Sequence, residues 1–137
     1  VLRYLLDTNL CIRVLRDRPA GLRPRFNAEA ESLSISTVVL TELLHGAAKS
    51  AKPIENRREV ERFAARLAVL PFDPEAASHA AEIRAALEKR GEGIGAYDVL
   101  IAGHARSRGL TVITGNLDEF RRVPGLLSED WLAAGGP

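Results

Sequence analysis

The chain begins with an apolar run, Leu2 to Leu6, that stops abruptly on Asp7. Leu10, Cys11, Val14 and Leu15 then recur at helical spacing. A buried strand followed at once by a helix, about Leu10 to Asp17 and ending before Pro19, fits this pattern. A polar helix or loop follows from Ala20 to Ala30. Leu33 to Ser36 alternates with period two and predicts a second strand. Thr37 is the expected cap of a helix from Val38 to about Lys49, buried through Val39, Leu40, Leu43, Leu44, Ala47 and Ala48. Pro53 opens a further helix through Phe63 to Leu67, and Val69 to Phe72 is a strand candidate weakened by Pro71. Asp73-Pro74-Glu75 carries the signals of a helix start, and Gly91 those of its stop near Arg90. A nearly apolar helix runs from Ala96 to about Ser107, closed by Gly109, and Leu110 to Ile113 reads as a strand. Asn116 to Phe120 is a turn or short helix, Leu126-Leu127 a last short strand, and Ala133 to Pro137 a loose tail.

Strands thus alternate with helices, which predicts an α/β domain with a mostly parallel sheet and right-handed crossovers. At 137 residues, with no repeat or linker, one domain over 1–137 is expected. The 46% apolar and 27% charged composition is that of an ordinary globule, and no apolar run approaches a membrane span. The first apolar run is too short for a signal peptide. The lone cysteine, Cys11, fits a reducing cytoplasm and a packing role on the first helix.

Net charge is only +1, but 16 of the 19 basic residues are arginine. Arg13, Arg16, Arg18, Arg23 and Arg25 crowd a stretch containing one acid, Asp17. Their forked guanidiniums suit phosphate oxygens, although a solvated helix face would look the same.

The acids are the candidate chemistry. Asp7 ends a strand before a helix, where it serves as a cap or as a ligand. In open α/β sheets that edge is where ligands collect. From Ile94 to Ala105 the only polar side chains are Tyr97, Asp98 and His104, so Asp98 is a carboxylate in an otherwise apolar helix. Such a group protonates, pairs or binds metal unless its place in the first turn satisfies it. Glu42 lies off the centre of its helix's apolar stripe, and periodicity alone makes it a solvated glutamate. Asp118 and Glu119 follow the Leu110–Ile113 strand, with Thr114 and Asn116 between, and could be no more than a polar turn. Glu42 and His45 have the Glu-x-x-His spacing of di-iron bundles, but the second pair is missing. His79 and His104 read as ordinary helix residues. Gly91, Gly93 and Gly95 lack the residues of a nucleotide loop, and no Ser-His-Asp or paired-cysteine pattern is present.

Taken in order, several segments resemble the PIN-domain ribonucleases, specifically the VapC toxins of toxin–antitoxin pairs. They are Leu5 to Asn9, Ile35-Ser36 with Thr41-Glu42-Leu43, Tyr97 to Ala102, and Gly109 to Thr111. Thr114 to Phe120, Val123 to Leu126 and Glu129 to Trp131 complete the set. The resemblance implies a three-layer fold with a five-stranded parallel sheet of order 3-2-1-4-5 between helices. It implies that Asp7, Glu42 and Asp98 converge at the sheet's C-terminal edge as catalytic residues and hold Mg²⁺, with Mn²⁺ as a substitute. It implies supporting roles for Thr8, Asn9 and Thr114. The family's fourth acid falls on Asn116 here, and Glu119 is the nearest acidic match, which makes Glu119 the fourth catalytic candidate and Asn116 a supporting one. That leaves the fourth position open among Asn116, Asp118 and Glu119, and with it the number of ions. The implied activity is endoribonucleolytic cleavage of structured RNA, with initiator tRNA suggested by likeness to enteric VapC enzymes. Arg13 and Arg16 are the candidates for contacting RNA. The implied partners are a VapB-type antitoxin and a second copy of the chain within a larger complex, in the cytoplasm, without membrane association. A catalytically silent PIN-fold module that binds RNA or a partner is the rival suggested by Asn116. A dehalogenase-type phosphohydrolase would need an acid at Asn9, and a receiver-like domain an acidic pair and a late lysine.

Overall fold

The computed structural model describes residues 1–17 and 21–134. Five strands form one parallel sheet: β1 (Tyr4–Leu6), β2 (Leu33–Ser36), β3 (Ala68–Leu70), β4 (Thr111–Ile113) and β5 (Ser128–Glu129). Their spatial order is β3-β2-β1-β4-β5, as the resemblance implied. The helices are α1 (Thr8–Arg16), α2 (Leu22–Glu29), α3 (Thr37–Ala48), α4 (Pro53–Ala64), α5 (Pro74–Lys89), α6 (Ala96–Arg108), α7 (Leu117–Phe120) and α8 (Trp131–Ala134). Helices α1 to α4 pack with one another, and α5 packs along α6. Right-handed crossovers with this strand order put those two groups on opposite faces of the sheet.

Burial on both faces explains why the strands read as continuous apolar runs. Leu5, Leu6, Leu33, Ile35, Val112 and Ile113 are fully enclosed. β1 is central, with Tyr4 opposite both Leu33 of β2 and Thr111 of β4. The chain therefore changes direction across the sheet between β1 and β4. In open α/β sheets the crevice at such a switch point is the usual ligand site.

The differences from expectation lie at element ends. Asp7 itself caps α1, so that helix starts at Thr8 rather than Leu10, and it ends with Asp17 in the left-handed region at φ 54°. Ser36, not Thr37, caps α3: its backbone is extended and its Oγ accepts the Val38 N–H at 3.1 Å. Thr37 Oγ1 instead accepts the Phe72 N–H, tying α3 to the loop after β3. On α3, Val39, Leu43 and Ala47 are buried, Leu40 and Leu44 are half-buried, and Ala48 is exposed. α4 stops at Ala64, and β3 ends before Pro71, whose missing N–H cannot extend the ladder. The last strand is Ser128–Glu129, because Val112 and Ile113 pair with those residues, although Leu127 O already accepts the Val112 N–H. The expected tail begins as a helix, α8, anchored by the buried Trp131 against Tyr4 at 5.5 Å. Its last three residues, like Arg18 and Pro19, lie outside the described residues.

The α5–α6 contact is close enough to require glycine at position 103. A Cβ there would lie 2.5 Å from the Ala80 backbone nitrogen and 2.6 Å from its Cα. Since backbone cannot yield as a flexible side chain does, Gly103→Ala is expected to destabilise the fold by roughly 1–3 kcal/mol. A thermal melt should show a Tm about 3–10 °C lower. An unchanged Tm would mean the helices are not this close.

Candidate active site

Each of four elements delivers one carboxylate to the C-terminal edge of the sheet. Asp7 follows β1 and continues its ladder, donating its N–H to Ile113 O at 3.1 Å. The side chain is only 3% exposed, and both oxygens are satisfied. Oδ1 accepts the Leu10 N–H at 2.8 Å, and Oδ2 accepts the Thr114 hydroxyl at 2.5 Å. Burial pushes the Asp7 pKa up, the hydrogen bonds from Thr114 and Leu10 oppose this, and the Glu42 charge adds to the rise. Asp7 is therefore the cap of α1 through one oxygen, while the other oxygen is tied to the end of β4.

Glu42 projects from α3 off its buried stripe. Its Oε1 accepts the Thr8 hydroxyl at 2.6 Å, a bond that joins α3 to the start of α1. Half-burial and this long-range partner distinguish it from a solvated surface glutamate.

Asp98 stands in the first turn of α6, after Gly95, where no side chain caps the helix. It is half-buried rather than fully buried as its apolar neighbourhood suggested, because the first turn opens onto a cleft. Its pKa is raised from 3.8 to about 7. Burial is the main cause, followed by a hydrogen bond and charge repulsion with Glu119, then the charges of Asp7 and Glu42. A carboxyl that must share space with three others holds its proton.

The fourth contributor is Glu119 on α7. It faces Asp98, and its Oε2 accepts the Asn116 side-chain amide at 2.8 Å. Asn116 in turn donates its backbone N–H to Thr114 Oγ1 at 2.8 Å. Thr114 thus links Asp7 to the turn that carries Glu119. Asp118 is exposed and has no partner among the described residues. Asn9 lines the cleft but makes no side-chain hydrogen bond among the described residues.

Asp7, Glu42 and Asp98 open onto a cleft of about 1110 Å³, one wall of which is apolar through Ile12, Leu15, Leu43 and Val60. A second opening of about 570 Å³ shares Asp7, Asn9, Ile12 and Arg16 with the first and adds Arg13 and Asn116. Two openings therefore meet at the Asp7 carboxylate. Among the described residues, no three Asp, Glu, His or Cys donors stand close enough to close around a single ion. The arrangement is an open set of oxygens rather than a cage.

The arginine cluster separates into distinct jobs. Arg13 and Arg16 are exposed at the second opening, with Arg13 close enough to Asp7 to favour its charged form. Arg23 donates to Val14 O and Leu15 O at 3.0 Å, satisfying the carbonyl end of α1. Arg25 lies over the Trp131 ring at 4.4 Å. Arg18 is outside the described residues.

Two further residues line the cleft: His45, of the Glu-x-x-His pair, from α3, and Tyr97 from α6. The signal for Tyr97 was present, since it is one of three polar interruptions in an apolar helix. His104, another of them, is buried away from the site with both ring nitrogens unpartnered among the described residues, edge-on to Phe72. His79 accepts from Arg106 at 2.8 Å, and Cys11 is fully buried with its thiol pushed up.

Comparison with known proteins finds close relatives over nearly the whole chain. The PIN domain family model matches residues 4–126. The tRNA(fMet)-specific endonuclease VapC of Salmonella typhimurium is 48% identical over 131 residues, covering 96% of this chain and 99% of that one. Ribonuclease VapC2 of Haemophilus influenzae is 42% identical over 132 residues, covering 96% of this chain and all of the relative. The crystal structure of DNA-bound VapBC from Salmonella typhimurium superposes with a TM-score of 0.92 at 48% identity, covering 96% of this chain and 99% of that one. VapBC2 from Rickettsia felis, bound to a fragment of promoter DNA, gives 0.89 at 34% identity, covering 95% and 99%. The chain belongs to the PIN-domain family, in its VapC ribonuclease branch.

Proposed function

We propose that this chain is a divalent-metal-dependent endoribonuclease, the toxin of a VapBC-type toxin–antitoxin pair, acting on tRNA(fMet). The observation that carries the chemistry is the convergence of Asp7, Glu42, Asp98 and Glu119, felt at Asp98 as a retained proton near neutral pH. The tRNA target follows from the specificity named for the Salmonella relative at 48% identity.

An all-oxygen donor set fits Mg²⁺ or Mn²⁺ better than a softer ion. The openness of the site is compatible with Mg²⁺, which keeps several waters and takes only one or two carboxylates directly. Asp7, Glu42 and Asp98 are the residues that would hold it, in part through its bound waters. When bound, the ion supplies a water of lowered pKa and offsets charge on the phosphate. Thr114 and the Leu10 N–H fix the rotamer of Asp7, and Thr8 does the same for Glu42. Asn116 donates to Glu119, which supports reading it as a supporting residue and weighs against a silent module. Arg13 and Arg16 meet phosphates entering the second opening. In the hydrolysis, the water oxygen joins phosphorus, the bond to the 3′ oxygen breaks, and that oxygen leaves with a proton. The products carry 5′-phosphate and 3′-hydroxyl ends.

A VapB-type antitoxin is the proposed partner, because the superposable VapBC structures are toxin–antitoxin assemblies. The apolar wall of the cleft suits an apolar stretch of that antitoxin, which would cover the acids and silence the enzyme. A homodimer within the larger complex and a cytoplasmic location complete the proposal. No helix among the described residues is long and apolar enough to cross a membrane.

Two measurements test this reading. Incubated with tRNA(fMet), the wild type should cleave with Mg²⁺ or Mn²⁺ and stop with EDTA. Asp7→Asn, Asp98→Asn and Glu42→Gln should each lose about 100-fold or more, the scale of removing charge stabilisation from a transition state. Thr114→Val should lose about 10- to 100-fold by freeing Asp7. Cyclic 2′,3′-phosphate ends would overturn the mechanism, since they would show the RNA's own 2′ oxygen attacking.

The second measurement is stability against pH in EDTA. Asp98 binds its proton more tightly folded than unfolded, so its contribution is fully present below pH 3.8 and is lost as pH rises through about 7. The wild-type Tm should therefore fall relative to that of Asp98→Asn between about pH 4 and pH 7. Mg²⁺ should restore the wild type at neutral pH and leave Asp98→Asn nearly unmoved. Parallel pH profiles for the two proteins would show that the acids do not crowd Asp98.

A further inference from the structure

Four large apolar side chains are well exposed among the described residues: Val1, Ile54, Leu127 and Tyr97. Only Tyr97 is aromatic, and only Tyr97 lines the cleft of the acids. It is 53% exposed, contributes nothing to the hydrophobic core, and makes no hydrogen bond or ring contact among the described residues. Single exposed apolar residues are common and need no explanation in themselves. This one has a specific address. It precedes Asp98 in the first turn of α6, and α6 is fixed by its buried residues from Val99 to Ala105. The ring is therefore carried on a rigid element one residue from a carboxylate of the site. No other Phe, Tyr or Trp lines the cleft; the remaining ring is the His45 imidazole on α3.

We infer that Tyr97 is a positioning residue that stacks an unpaired nucleobase of the RNA beside the phosphate brought to Asp7 and Asp98. The inference rests on the ribonuclease reading and adds a base contact to a site otherwise built from charges. In the proposed reading the arginines meet phosphates and the carboxylates serve the metal, and phosphate is common to every nucleotide. Neither group can tell a paired strand from a looped-out one. An exposed aromatic ring can, because stacking requires a base freed from its helix. The placement favours RNA over a protein partner: the apolar wall suited to a partner's side chains lies on α1, α3 and α4, whereas Tyr97 sits on α6 next to Asp98.

The test compares wild type with Tyr97→Leu, Tyr97→Phe and Tyr97→Trp on tRNA(fMet) in Mg²⁺. Leucine keeps apolar bulk but has no π face. Tyr97→Leu should raise KM about 5- to 100-fold, the span of stacking one base on an aromatic ring, with a smaller change in kcat. Tyr97→Phe and Tyr97→Trp should retain the affinity that leucine loses. Since position 97 is exposed, all three should melt like wild type. A second readout is independent of cleavage. The chain's one tryptophan, Trp131, is buried, so the added emission of Tyr97→Trp reports on the cleft, and tRNA(fMet) should quench it. If the wild type failed to cleave, the ribonuclease reading would fall while the quench still decided the base contact. The inference is overturned if Tyr97→Leu keeps the wild-type KM, or if RNA leaves the emission of the Tyr97→Trp variant unchanged. It is equally overturned if the leucine variant loses antitoxin binding but not RNA affinity, which would make Tyr97 a partner contact.

Discussion

A carboxylate as enclosed as Asp7 survives only if both oxygens have partners, and the way they are partnered organises the rest of the molecule. One oxygen takes the Leu10 N–H and so starts α1; the other takes the Thr114 hydroxyl and so registers the end of β4 against the end of β1. These are the two strands on either side of the switch point. The same bonds set the geometry of what lies beyond them. Thr8, next in the chain, reaches Glu42, and Asn116, held by Thr114, reaches Glu119. Glu42 and Glu119 thus each have a donor that aims them, and each donor comes from an element end that Asp7 helps to place; among the described residues Asp98 is paired only with Glu119.

What these bonds aim the acids toward is one another, and that opposes stability. Burial and three neighbouring charges act together at Asp98. Folding elsewhere must supply the difference, and the source is visible in the sheet and the α5–α6 pair. Central strands are buried on both faces, and Gly103 lets two helix backbones approach until no side chain fits between them. The scaffold is tightest where it carries no chemistry, and its C-terminal edge is where charge is concentrated.

This division explains what was legible in the sequence. Elements whose residues face the core declare themselves through period and caps: β1, α5 with its Asp73-Pro74 start, and α6 with its Gly109 stop all lie close to where the pattern puts them. Edge and boundary residues do not. Ser36 and Thr37 are equally able caps, and only tertiary context gives one to Val38 and the other to Phe72. A two-residue edge strand such as Ser128–Glu129 has no hydrophobic period to read. Among the acids, Asp98 stood out against an apolar helix, whereas Glu42 is indistinguishable from surface until Thr8 is seen to reach it across 34 residues. The fourth position was ambiguous for a related reason. Asn116, Asp118 and Glu119 share one turn, and spacing alone cannot say which of the three a short helix turns inward.

The site's charge balance also constrains how it can be used. Four acids crowd the site, and two arginines stand at its second opening, so a phosphate approaching the acids alone meets repulsion. Arg13 relieves Asp7 in part, but Glu42 acts on Asp7 in the opposite sense. The arginines can therefore hold phosphates beside the centre but cannot neutralise the centre itself. Two changes bring a phosphate to Asp7: protonation of Asp98, which lowers the charge by one, or arrival of a divalent cation, which lowers it by two and keeps the carboxylates ionised. On the proposed reading of the site, only the second would leave those carboxylates as ligands. A cation requirement would then follow from the crowding of the acids, before any step of the chemistry is considered.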